Sequence, residues 1–249
     1  RPIDIVEISC PGARDAMFNM DDSKIFTTCQ QEPKGMAVID VEARKEIKMV
    51  PIKGGRAGGM DPQGKYFMVS ASKSVHFFDS QTAELVKTIK VPGGGGNFTC
   101  LKDGSKCYVG LRKANAVGVI DMAKLELMKT IETGPDANRL YLNPGNSRYG
   151  LFANEAGKSD IVSIIDTQLD VKVKDIWTGL GPHNVAFDPD GKFAVISTKK
   201  ENVATLVDTG SADPNDWDVI TTDLDSGIQN NGVRWVPSPA ALKKALAQN

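Results

Sequence analysis

Apolar residues along this chain come in short runs, and within most runs they alternate with polar or small positions. A period of two is a strand signal, because successive side chains leave a strand on opposite faces. One such run, closing on Asp, occurs five times: Met36–Asp40, Val75–Asp79, Val117–Asp121, Val162–Asp166 and Ala204–Asp208. The closing residues Asp40, Asp79, Asp121, Asp166 and Asp208 are 39, 42, 45 and 42 positions apart. A near-constant spacing of this length marks a repeat protein.

The alternating run is one part of a longer unit. Ahead of it stand a turn and a β-rich segment, as in Pro62-Gln63-Gly64-Lys65 before Tyr66–Val69, Asp103-Gly104-Ser105-Lys106 before Cys107–Val109, and Pro189-Asp190-Gly191-Lys192 before Phe193–Ile196. Gly, Asn and Asp suit such turns because they tolerate positive φ. A further run follows the Asp, as in Leu85–Ile89 and Leu127–Ile131. Each unit therefore predicts four antiparallel strands in roughly 40 residues, the pattern of a β-propeller blade. The recurrent Asp residues cap turns on this reading, since the same residue at the same place in every blade is structural.

The segment Asn184–Val195, with its Pro189-Asp190-Gly191-Lys192 turn, followed by Ala204–Asp208, resembles the YVTN repeat. The likeness extends over almost the whole chain. It implies an extracytoplasmic propeller of the kind found in surface proteins, periplasmic DNA-binding proteins and amine-dehydrogenase subunits. A fold of this kind does not by itself fix a function. No Gly-His and Trp-Asp pair recurs, which disfavours a WD40 propeller.

The fold class predicted is all-β: a β-propeller of about six four-stranded blades, the last incomplete, closed by the N-terminal strand. Arg1–Ile8 reads as one outer strand, five full units follow, and Gly232–Pro237 begins another inner strand. A partner chain supplying the missing strands, or a longer parent chain, are the alternatives. The propeller is expected over residues 1–237. Residues 238–249 read as a short C-terminal helix or tail, with Ser238 as N-cap and Pro239 at the first helical position.

Composition narrows the partners. The net charge of the 249 residues is −1, which does not point to nucleic acid as the main partner. No apolar run approaches the twenty residues of a membrane span. The first residue is Arg1, which fits a removed leader or a trimmed chain. Four cysteines, Cys10, Cys29, Cys100 and Cys107, lack both C-x-x-C and haem-attachment spacing. An even count without metal spacing suits disulfides in a periplasmic or extracellular setting, with buried free thiols the alternative. Cys10–Cys29 is reasonable because Cys29 ends a second strand at the end where Cys10 precedes Arg14. Cys100 and Cys107 flank Asp103-Gly104, and a two-residue turn puts them opposite each other at a hydrogen-bonded site. Side chains are farther apart there, so that bridge needs a register shift.

In a propeller the link into each inner strand faces the mouth of the central channel, where ligand sites concentrate. Aligning the two positions before each inner strand gives one column of Arg14, Arg56, Gly96, Asn138, His183 and Asn231. The second column is Asp15, Ala57, Asn97, Arg139, Asn184 and Gly232. The candidate ligand-binding residues are thus Arg14, Arg56, Asn97, Asn138, Arg139, His183, Asn184 and Asn231, a set suited to a carboxylate, another anion or a partner's acidic loop. A solvated channel mouth is polar in any case. His183 is the candidate for acid–base work, whereas His76 lies inside a strand and reads as packed. Two histidines cannot form a multi-histidine copper centre, and no Cys/His cluster has zinc spacing, so no cofactor and no metal are expected. The Gly93–Gly96 run reads as a flexible loop, since no Lys-Ser/Thr or helix follows it. The Asp213–Asp218 loop offers oxygen ligands for calcium but reads as a surface turn.

The leading functional expectation is binding or scaffolding of a protein partner or small anionic ligand at the channel mouth. The alternatives are a propeller subunit of a periplasmic redox enzyme, resembling the amine-dehydrogenase subunits, and a lyase or lactonase using His183.

Overall fold

The computed structural model describes residues 5–201 and 203–225. They form twenty strands in five four-stranded antiparallel sheets, the blades of a propeller. Blade 1 holds β1 (Ala13–Phe18), β2 (Lys24–Cys29), β3 (Gly35–Asp40) and β4 (Lys45–Pro51), and blade 2 holds β5 (Ala57–Met60), β6 (Tyr66–Ser70), β7 (Ser74–Asp79) and β8 (Leu85–Lys90). Blade 3 runs β9 (Phe98–Cys100), β10 (Lys106–Leu111), β11 (Ala116–Asp121) and β12 (Glu126–Glu132), and blade 4 runs β13 (Ala137–Leu142), β14 (Tyr149–Asn154), β15 (Ile161–Asp166) and β16 (Val171–Trp177). Blade 5 comprises β17 (Pro182–Phe187), β18 (Phe193–Thr198), β19 (Val203–Asp208) and β20 (Asp218–Asp225). The repeated Asp-terminated run is the third strand of each blade. Among the described residues no helix is long and apolar enough to cross a membrane.

Alternation decides how the blades stack. On β6, Phe67 and Val69 pack with Phe26, Met36 and Val38 of blade 1, while Met68 between them packs with Val109, Leu111 and Ile120 of blade 3. Tyr108, Val117 and Val119 then face Leu140, Phe152 and Ile165 of blade 4. Leu151 and Ile164 face Val185, Ile196 and Val207 of blade 5. Each of these side chains gains roughly 1.5–3 kcal/mol on leaving water. Polar rivets cross the same seams: the Tyr108 hydroxyl and the Lys106 ammonium of blade 3 both reach Asp170 of blade 4, at 2.6 and 2.7 Å.

Each closing Asp caps the turn after it. Asp79 Oδ1 accepts from the N–H groups of Gln81 and Thr82, Asp121 Oδ1 from Ala123 and Lys124, and Asp166 Oδ1 from Gln168 and Leu169. Asp40 and Asp208 serve Ala43 and Gly210 in the same way. The Asp213–Asp218 loop is a single 3-10 turn in which Asp213 accepts from the Asn215 N–H and Asp216 from the Ser211 hydroxyl. His76 is packed as expected, stacked on Phe78 and bonded to the hydroxyls of Ser74 and Thr88, and burial lowers its pKa.

Two expectations need correction. The outer strand expected over Arg1–Ile8 is not formed at residues 5–8. Ile8 instead packs with Cys10, Cys29 and Ala37 of blade 1, and Ser9 bonds through its N–H and hydroxyl to the Glu46 carboxylate, at 2.7 Å each. This commits the segment to blade 1. Residues 1–4, the inner strand expected at Gly232–Pro237 and the C-terminal helix lie outside the described residues, and closure of the ring rests on them.

The second correction concerns the turn between the cysteines of blade 3. It is a four-residue loop, closed by the Leu101 N–H donating to the Lys106 carbonyl at 2.9 Å, with Gly104 N–H folded back onto the Leu101 carbonyl. Leu101 and Lys106 therefore form the hydrogen-bonded pair, and Cys100 and Cys107 fall on the next site, where strands approach more closely. Their Cα atoms are 3.9 Å apart and the disulfide forms with the two residues directly opposite. Cys10 and Cys29 are bridged as expected, with Cα atoms 5.6 Å apart.

Non-reducing peptide mapping should recover Cys10–Cys29 and Cys100–Cys107 and no other pairing. Loop-closure entropy gives about 3 kcal/mol for the first and about 2.5 kcal/mol for the second. A C10S/C29S protein should accordingly unfold at lower denaturant than C100S/C107S, and the reverse order would reject loop closure as the source of stabilisation.

Candidate functional site

In each antiparallel blade the link into the inner strand and the link from second to third strand lie at the same end of the sheet. The first kind carries the two columns read from the sequence. The second kind contributes Gln30, Ala71, Arg112, Glu155 and Lys199, each the residue directly after a second strand. Both sets share one face of the propeller.

The columns converge near the inner strand of blade 2, which carries glycine at two successive positions. Beside Gly58 and Gly59 of β5, Arg14 of blade 1 reaches blade 3, its guanidinium donating to Asn97 Oδ1 at 3.4 Å. Asn97 in turn donates through Nδ2 to Asn138 Oδ1 of blade 4 at 3.0 Å. Asp15 accepts from the Gly58 N–H at 3.2 Å and pairs with Arg14 at 3.3 Å. Asp15, Asn97 and Arg139 line a cavity of about 290 Å³ floored by the two glycines. Position 96 is glycine for a steric reason: a Cβ there meets the Gly110 Cα at 2.5 Å and the Asn138 carbonyl at 2.7 Å.

Blades 4 and 5 meet through Tyr141, whose hydroxyl donates to Asn184 Oδ1 and lies 3.3 Å from the His183 carbonyl. Burial pushes the Tyr141 phenol up to about 12, and the Arg139 guanidinium lies 5.3 Å from the centre of its ring. The imidazole of His183 turns toward Glu155, with Nε2 3.1 Å from Oε1. Asn231 lies outside the described residues. The candidate residues thus fall into three groups: Arg14, Asn97, Asn138 and Arg139 around the channel, His183 and Asn184 at the blade 4–5 seam, and Arg56 to one side.

The hub of the face is Glu155, only 8% exposed and absent from both columns. Arg112 holds its Oε2 at 2.6 Å, while Lys199 and His183 share Oε1. Arg112 also clasps Asp136. Burial opposes ionisation of Glu155, but the hydrogen bonds from His183, Lys199 and Arg112 outweigh it and hold the carboxyl far below the usual carboxylate range. Three blades are tied at one buried anion. These residues escape an alignment confined to inner strands, although counting to the residue after each second strand finds Arg112, Glu155 and Lys199 directly.

Arg56 is half-buried, and its pKa is lowered by burial and by the guanidiniums of Arg112 and Arg14, with partial relief from Glu155 and Asp136. It lies beside the Gly93–Gly96 run, which is not the loose loop expected. Its four N–H groups donate to the carbonyls of Val91, Ser72 and Gly110 and to the Ser70 hydroxyl, at 2.8–3.0 Å. The run is pinned between blades 2 and 3 and has no backbone donor left for a phosphate.

No protein-family model and no curated protein matches the sequence. Solved structures do match in fold. Hydrazine synthase of Kuenenia stuttgartiensis superposes with a TM-score of 0.60 at 17% identity, over 96% of this chain and 93% of that one. A functionally unknown protein of Desulfotomaculum acetoxidans gives 0.63 at 14% identity, over 81% and 68% of the two chains. A 6-phosphogluconolactonase-like protein of Bacteroides fragilis gives 0.69 at 19% identity, over 87% and 70%. At these identities the likeness is one of fold, and it agrees with the propeller built above.

Removing one member of a buried charge network leaves the others uncompensated, so Glu155→Gln should cost about 3 kcal/mol at pH 7. The Glu155 carboxyl titrates below its ordinary value of about 4.3 when folded, so the unfolded chain binds this proton first on acidification. Its contribution is present above that pH and lost as the pH falls through the folded value. The gap between thermal melts of the native protein and the variant should be narrower at pH 3 than at pH 7 without closing, and an equal gap at both pH values would refute the charge as the cause.

Proposed function

We propose that this chain is an extracytoplasmic binding propeller that takes an anionic ligand, either a small molecule or an acidic segment of a protein partner, on the face where its inner strands begin. The observation that carries this reading is the unbalanced positive charge on that face. Glu155 and Asp136 are answered by Arg112 and Lys199, and Asp15 by Arg14. Arg56 and Arg139 are left without a carboxylate partner among the described residues, on the same face as the linked amides of Asn97 and Asn138. Guanidinium and amide donors on a concave face recognise carboxylates and phosphates. The two disulfides support an oxidising compartment, and the repeat's resemblance to YVTN propellers supports the same setting.

A second reading, a lyase or lactonase, is favoured by the His183–Glu155 pair, in which a carboxylate orients an imidazole beside the channel. It predicts turnover that His183→Gln abolishes while ligand binding survives.

The binding reading is tested with the triple variant Arg14→Ala, Arg56→Ala, Arg139→Ala and two probes, citrate and a hexaglutamate peptide, by calorimetry at low ionic strength. Each lost charge contact should weaken binding about tenfold, and added salt should weaken the native protein's binding too. Binding undiminished in a triple variant with an unchanged melt would sink the proposal.

A further inference from the structure

Between blades 2 and 3, off the channel axis, lies a cavity of about 230 Å³ whose charged lining is Lys34, Arg56, Arg112, Lys113 and Asp136. Arg112 is neutralised by Asp136 and Glu155. The side chains of Lys34, Arg56 and Lys113 make no ion pair or hydrogen bond among the described residues. Three cations from three different links, one on a half-buried guanidinium, therefore face one small cavity whose lining carboxylate, Asp136, is already paired with Arg112.

The wall opposite is the pinned glycine run. Gly95 takes φ +95°, a conformation that side chains rarely adopt, and the site a Cβ would occupy lies 3.7 Å from the Arg56 Cδ. The Arg56 stem lies along this bare backbone. The cavity is smaller than the 300–1,000 Å³ of ordinary small-molecule pockets, so it accommodates a charged group rather than a whole metabolite.

Resting on the anion-binding reading above, we infer that this cavity is an off-axis anchor for a doubly charged oxyanion group, phosphate or sulfate in geometry, gripped by Arg56, Lys34 and Lys113. A single carboxylate leaves most of the local charge unanswered, whereas a dianion answers two of the three cations and is met bidentately by the guanidinium. Because every N–H of the glycine run is already used, side-chain charge does the binding and the backbone supplies only room.

The test is calorimetry at low ionic strength with inorganic phosphate, sulfate, glycerol 3-phosphate and acetate on the native protein, Lys34→Gln/Lys113→Gln, Arg56→Gln, and the mouth variant Arg14→Gln/Arg139→Gln. Phosphate and sulfate should bind at least about tenfold tighter than acetate, and Arg56→Gln and the double lysine variant should each lose about tenfold or more. The mouth variant should retain phosphate binding. The ranking of glycerol 3-phosphate against inorganic phosphate distinguishes an organic phosphate ester from the free ion. Phosphate binding lost in the mouth variant and kept in the lysine variant overturns the off-axis anchor and leaves the mouth reading standing. Hexaglutamate binding without any phosphate or sulfate binding does the same, and failure of every probe overturns both.

Discussion

Blades 2, 3 and 4 are apolar on both faces, and a sheet of that kind is stable only when both faces are covered. Phe67 and Met68 are adjacent in sequence and point into different seams, each wholly buried. The alternation of strand side chains converts this local pattern into a stacking rule, in which each of these sheets stands between two others. Radial stacking follows, and with it the convergence of inner strands. The geometry of the functional face is a consequence of packing: the glycines of β5 make room for the rings of Phe67 and Phe98, and Arg14 of blade 1 meets Asn97 of blade 3 beside that strand.

Electrostatics on that face follow a second constraint. A carboxylate as deeply buried as Glu155 is costly unless cations and donors surround it, and here they come from the blades on either side, 3 and 5. Arg112, His183 and Lys199 belong to blades 3 and 5, so the charge network links two blades that are not neighbours in the stack. Once those cations are committed, the charge left to interact with a ligand is that of Arg56 and its neighbours on one side and Arg139 on the other. The acid at the centre sorts the basic residues of the face into structural and available ones.

Much of this was legible in the sequence. The Asp-terminated runs located every third strand and their turn-capping role, because an Asx cap requires that residue at that position whatever surrounds it. The placement of Arg14, Asn97 and Asn138 on one face was legible because the Pro-Asp-Gly turns set the phase of the inner strands. Glu155 was not, because burial of a charge depends on partners 43 and 28 residues away in sequence, at Arg112 and His183. Cys100 and Cys107 do lie opposite each other, but the hydrogen-bonding phase of that pair was not legible, for a local reason. Asp103-Gly104 suggested a two-residue turn, whereas Asp103 caps the Ser105 N–H and opens a four-residue loop, which reverses the alternation of the pairs beyond it.

The glycine run shows how one sequence feature acquires its meaning from the fold. In a loop that opens a helix, successive glycines free backbone N–H groups to cradle an anion. Here Gly93–Gly96 joins an outer strand to the next inner strand, and hydrogen bonds to blades 2 and 3 consume those same N–H groups. The absence of side chains still matters, since it leaves the Arg56 stem a bare wall to lie on and keeps space between blades 2 and 3. Binding strength then depends on flexible side-chain charges rather than on fixed backbone dipoles. A site built this way is sensitive to salt and to charge, and it discriminates ligands by how many charges they carry more than by their shape.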